Sequence, residues 1–179
     1  MESGYRSYLW LLIGFIFLIF SNGIWHIIPI AAWLAPVFLI RFLRTQSKLK
    51  GLVIFLPVYL VGWVIMLHGI YPGQTGVSLV TSFIYAILFF LPFLADRLMT
   101  PKIGGYISTL VFPFAWVTME LALSFTLLSS WFSLAYTQYG NLSLMQVVSV
   151  SGIWGISFLI TWFASLVNWA WEQEFSAQR

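Results

Sequence analysis

YISTLVFPFAWVTMELALSFTLL, residues 106–128, is 23 residues long and carries one charged side chain, Glu120. Crossing a hydrocarbon core of about 30 Å takes about 20 helical residues. The strands of a membrane barrel would alternate apolar and polar residues, and this stretch does not. It reads as a membrane-spanning helix, and that fixes the solvent in which the rest of the chain is read.

Working outward, three further runs have the same character: 51–70, 76–98 and 147–171, separated by stretches holding Gly, Pro, Asn and the charges. Two shorter runs, 8–20 and 29–43, flank Ser21-Asn22-Gly23. Pro29 suits the first turn of a helix, so the two are expected to form a helical hairpin over 8–43. Arg6 ahead of an apolar core also resembles a signal peptide, but Ser-Asn-Gly is a poor cleavage site and a second apolar run follows at once. The fold expected is all-α: a polytopic transmembrane helical bundle of about six helices, forming one membrane domain over 1–179.

The composition agrees. Of the 179 residues 61% are apolar and only 7% charged, with a mean hydropathy of +0.95, where a soluble domain has about a quarter of its residues charged. A net charge of +3 is too small for a nucleic-acid surface, so no nucleic-acid partner is expected. There is no cysteine, which excludes a disulfide framework, a thiolate metal site and a cysteine nucleophile within these residues. No Gly-rich phosphate loop, metal-ligand spacing or Ser/His/Asp set is present. We therefore expect no cofactor, no metal and no catalytic residue in this stretch.

The basic residues orient the chain, because cytoplasmic loops retain Lys and Arg. Arg6, Arg41, Arg44, Lys48, Lys50, Arg97, Lys102 and Arg179 all fall on one side if both termini are cytoplasmic. The connections 21–28, 71–75 and 129–146 hold no Lys, Arg, Asp or Glu and are expected to face outward.

Glu120 is deep in its span, where an ionisable group is costly enough to be a functional hypothesis by default. Trp116 and Ser124 share its face at one turn to either side. The competing reading is a carboxyl hydrogen-bonded to a neighbouring helix, serving packing. His26 and His68 fall near the outer surface, where water or backbone contacts are the commoner use of an imidazole. The segment 129–146, SSWFSLAYTQYGNLSLMQ, is too polar to span yet carries Trp131, Phe132, Tyr136 and Tyr139. It reads as an interfacial anchor or as a wall for an acyl chain. Ser151, Gly152 and Gly155 lie on or near one face of the last span, where small residues permit close helix packing.

From Pro113 to Asn168, PFAWVTMELALSFTLLSSWFSLAYTQYGNLSLMQVVSVSGIWGISFLITWFASLVN, the chain resembles the membrane half of bacterial apolipoprotein N-acyltransferases. The pattern there is a Trp and an acid in a helix, a Pro-Trp loop, a Gly-Tyr-Ser/Thr-Gln element, and a helix opening near Gly-Gly-Val-Trp/Tyr-Gly. Trp116 and Glu120 take the first positions, Trp131 the loop Trp, Tyr136, Thr137 and Gln138 the polar element, and Gly152, Trp154 and Gly155 the last. The stretch 21–44 resembles the family's first hairpin. Three positions depart from the pattern: Leu123 stands where an Arg is common, Ser130 for the loop proline, and Ala135 for the glycine before Tyr136.

The resemblance implies phospholipid-to-lipoprotein acyl transfer in the bacterial cytoplasmic (inner) membrane. It also implies a Glu-Lys-Cys triad in a nitrilase-like domain, which is not found in these residues. The chain is then expected to be a scaffold or lipid-access portion, with membrane phospholipid and a separate or downstream nitrilase-like domain as partners. Trp116, Glu120, Trp131, Tyr136, Gln138 and Trp154 become the candidate lipid or substrate contacts. The competing classes are a stand-alone lipid-binding or partner-docking membrane protein, and a small transporter, for which only Glu120 lies on a polar path.

Overall fold

The computed structural model describes residues 4–22 and 27–177; Gly23 of the hairpin turn and His26 lie outside them. Among the described residues there are seven α-helices, two 3-10 segments and no strand. The helices are α1 (Gly4–Ser21), α2 (Pro29–Thr45), α3 (Lys48–Met66), α4 (Thr75–Ile103), α5 (Val111–Ser124), α6 (Leu142–Met145) and α7 (Val148–Ala177). Four stretches are long and apolar enough to cross a membrane: Lys48–Met66, Thr75–Ile103, Tyr106–Ser124 and Val148–Glu174. Proline lies inside helices at Pro36, Pro57, Pro92 and Pro101, a use common in membrane helices, where neighbours re-satisfy the freed backbone groups.

The chain divides into two compact units, Met1–Leu91 and Pro92–Arg179. The division falls within α4 at Pro92, where the missing N–H removes a helical hydrogen bond.

In the first unit α1 and α2 pack closely because Gly14 has no side chain. A Cβ there would lie 2.7 Å from Leu39 Cδ2 and 3.1 Å from the Leu39 backbone nitrogen. Trp10 and Phe17, two turns apart on α1, both stack on Phe38 of α2, with ring centroids 5.7 and 5.8 Å away. Ser7 and Thr45 close the open end of the hairpin through a 2.6 Å hydroxyl–hydroxyl hydrogen bond. Pro29 opens α2 at its first turn. On α3, Phe55, Tyr59 and Trp63 recur every fourth residue and are buried. Trp63 stacks on Tyr85 and Phe89 of α4 at 5.8 and 5.5 Å, so an aromatic ladder joins these helices.

In the second unit Phe93 packs against Phe112 and, edge-on, against Trp116, with centroids 5.0 and 6.0 Å apart. The 3-10 segment Tyr106–Leu110 leads into α5. On α7, Ile156, Ile160 and Ala164 form a buried apolar stripe, and Ser157, Thr161, Ser165 and Asn168 form a buried polar one beside it. Trp162 Nε1 donates to Thr109 Oγ1 at 3.2 Å, which ties α7 to the start of the α5 stretch.

Two boundaries differ from the sequence reading in ways that matter for the site. Residues 125–132 are turns and not a continuation of α5. The long α7 is broken at Gly152, whose φ of 65° and ψ of −171° are non-helical.

Candidate functional site

Glu120 sits near the end of α5 and is 1% exposed. Its Oε1 accepts two N–H donors, Trp116 Nε1 at 3.0 Å and the Leu134 backbone N–H at 3.1 Å. Its Oε2 lies 3.0 Å from Ser133 Oγ, which donates to it. The Trp116 bond follows from helix geometry, because positions four apart share a face. The other two come from a loop thirteen and fourteen residues downstream.

The purpose of those two bonds is local. Residues Leu134–Gln138 form a 3-10 turn with Ser133 as its N-cap, and the first N–H groups of such a turn have no partner within it. Glu120 takes the Leu134 N–H, and Ser133 Oγ takes the Ala135 N–H at 3.3 Å. Ser157 of α7 completes the set: its hydroxyl lies 3.1 Å from Ser133 Oγ. Ser157 also hydrogen-bonds to the Glu120 carboxyl, so the hydroxyls of both serines converge on the acid. The carboxyl thereby fastens α5 and α7 to one turn of the loop.

Further along the turn, Thr137 Oγ1 donates to the Leu134 carbonyl at 2.7 Å, and Gln138 Nε2 donates to Thr137 Oγ1 at 2.7 Å. Asn141 caps α6 through Leu144 N–H at 3.2 Å. The segment consequently has two sides. Phe132, Ser133, Leu134, Ala135, Thr137 and Gln138 are buried, while Trp131 (66% exposed), Tyr136 and Tyr139 (73% exposed) face outward. Ser130 Oγ and Tyr136 Oη share a 3.0 Å hydrogen bond on that outward side.

The structure brings together Trp116, Glu120 and the turn that holds Gln138, and it puts Trp131 and Tyr136 on the opposite, exposed side of the same segment. Trp154 is half-buried just beyond the Gly152 break. A Cβ on Gly155 would strike the Ser151 side chain of its own helix, and one on Gly152 would meet the Trp154 ring at 3.0 Å. Ser124 turns its hydroxyl onto the Leu121 carbonyl of its own helix, leaving Glu120 to other donors. Leu123, which stands where an Arg is common, is buried; hydroxyl and N–H donors hold the acid here. His68 is exposed after the end of α3.

Ser133 and Ser157 are the site residues that the sequence reading missed. The one signal available was a serine standing in the apolar run of α7. The fold also buries Asp96, which accepts from Thr100 Oγ1 at 3.0 Å, and Arg41, so Glu120 is not alone among buried charged side chains. Asp96 reads as the end of a span in the sequence, but α4 continues to Ile103 and carries it inside.

A helical membrane domain whose buried acid fastens an aromatic loop between two helices defines the class. The chain belongs to the apolipoprotein N-acyltransferase N-terminal domain family, whose model matches residues 14–166. It is 28% identical over 104 residues to an apolipoprotein N-acyltransferase from Geobacter metallireducens; that match covers 58% of this chain and 20% of the relative's length. No solved structure matches it.

Proposed function

We propose that this chain is the lipid-access part of a phospholipid-to-lipoprotein N-acyl transfer system in the bacterial cytoplasmic membrane. The observation that carries this reading is the two-sided loop: Glu120 and Ser133 fasten its inner side while Trp131, Tyr136 and Tyr139 face outward. Aromatic side chains with a polar tip sit well at a membrane interface. Both termini and the basic loops are cytoplasmic and the aromatic loop lies at the outer face, as the distribution of Lys and Arg indicates. At 18 and 17 residues, about 27 and 25 Å long, α1 and α2 cross the bilayer as a hairpin.

The transfer is ping-pong. A thiolate takes the acyl group from a phospholipid ester, releasing the lysophospholipid, and the amino group of a lipidated N-terminal cysteine then takes it from the thioester. These 179 residues contain no cysteine, so the nucleophile comes from a nitrilase-like domain outside them. The present residues shape and admit lipid. Trp131, Tyr136 and Trp154 contact it, and Trp116, Glu120 and Gln138 hold the loop that presents those contacts.

The test is to place Trp131→Ala and Gln138→Ala in the source cells and measure N-acylation of lipoprotein N-termini by mass spectrometry. We expect acylation to fall while the amount of the chain in the membrane is unchanged. The same exposed aromatic loop also suits a second reading, a non-enzymatic membrane protein that binds lipid or docks a partner. Unchanged acylation together with weakened phospholipid binding would favour that second reading.

A further inference from the structure

Between the second half of α4 and α5 the unit beginning at Pro92 has a groove of about 530 Å³. Ala95, Met99 and Ile103 follow one another every fourth residue along α4, and Ala115, Met119 and Ala122 line the facing side of α5. The alanines hollow the groove. Among the described residues that line it, only Thr118 has a polar side chain. From Leu110 to Ala122, both lining residues, the helix rises about 18 Å. One leaflet of the hydrocarbon core is about 15 Å deep, half of the full thickness. The groove therefore has the length of a single leaflet's acyl chain. Left empty in a lipid environment, its walls would forfeit their dispersion contacts on one side. Lys102, exposed and next to Ile103, puts a cation at one end.

We propose that this groove seats one acyl chain of an anionic phospholipid from the leaflet on the Lys102 side, with the phosphate at Lys102 and the chain end near Ala122. The inference goes beyond acyl transfer and does not depend on it, because the loop fastened by Glu120 follows the other end of α5. The lipid held here is a structural one. The lysine selects its headgroup charge, and the α4 and α5 stripes select a single extended chain.

The experiment reconstitutes the full chain in phosphatidylcholine vesicles doped with a phosphatidylglycerol that carries a diazirine at the end of one acyl chain. After irradiation the adducts are mapped by peptide mass spectrometry. Adducts are expected to concentrate around Met119 and Ala122. They should form about five times more readily than with the matching phosphatidylcholine probe, the effect of one lysine near a lipid headgroup. Lys102→Glu, a change at an exposed position, should abolish that preference without altering the fold. Ala122→Trp, which fills the groove, should remove the adducts. Three results would overturn the proposal: adducts no denser on α5 than at the exposed α3 positions Val53 and Val61, equal yields from the two probes, or adducts at Met119 that persist undiminished in Ala122→Trp.

Discussion

Glu120 has four hydrogen-bond partners, Trp116, Ser133, Leu134 and Ser157, and no cation among them. Its removal strands the Trp116 and Leu134 N–H groups and leaves the two hydroxyls only each other. Leaving a buried donor unsatisfied costs about 1–3 kcal/mol, so Glu120→Ala should lose about 3 kcal/mol or more and free the loop. Glu120→Gln keeps an oxygen for Trp116 and Leu134, and Ser133 has only to rotate its hydroxyl to accept, so the loss should be about 1 kcal/mol. Hydrogen exchange at the Leu134 and Ala135 amides reads the difference: fast in the alanine variant, near wild type in the glutamine variant. Equal protection in all three proteins would mean that the carboxyl does not hold the loop. At this scale the sequence shows half of the site. Trp116 and Glu120 are one helical turn apart, and that is legible from spacing. Ser133 and Ser157 are thirteen and thirty-seven residues from Glu120, and only the packing of α7 on α5 brings them in.

Among the elements, the spans are legible because about 20 apolar residues in a row have few other uses. The break in α7 is not, because Gly152 stands in a run that reads equally well as continuous helix. Its φ of 65° with ψ of −171° lies in a region essentially restricted to glycine, at a cost of about 1–3 kcal/mol for other residues. Gly152→Ala should therefore lower the unfolding temperature in detergent by about 2–12 °C, taking about 2–4 °C per kcal/mol for a chain of this size. Gly76 in the first turn of α4 has nothing within 4 Å of a would-be Cβ and no positive φ, so Gly76→Ala should leave that temperature within a degree or two or raise it slightly. Equal responses from the two variants would remove the backbone explanation. The ends of the long helices escape the sequence for a related reason: α4 runs on through Asp96 and Lys102 to Ile103, past the point where hydropathy falls.

For the whole molecule, the arrangement of charge gives the orientation proposed above, and the absence of cysteine within these 179 residues makes it simple to test. Within them a single cysteine can be placed anywhere without removing a native one. In intact cells a membrane-impermeant maleimide should label Gln74→Cys, exposed in the connection 71–75, and leave Lys48→Cys unlabelled until the membrane is opened. The reverse pattern would invert the topology. That the chain is a helical membrane protein is plain from its composition and its unbroken apolar runs; its division into two compact units at Pro92 is not, because a proline inside a membrane helix is common in either case.

The account turns on Glu120 aiming the loop aromatics at lipid. The most direct measurement is the emission of an environment-sensitive fluorophore on Tyr139→Cys, with the chain reconstituted in phospholipid vesicles and brominated phospholipid added as quencher. The account predicts a blue-shifted, strongly quenched probe that becomes water-exposed and poorly quenched when Glu120→Ala is added. A probe that stays in water in both proteins, or one that Glu120→Ala leaves unchanged, would contradict it.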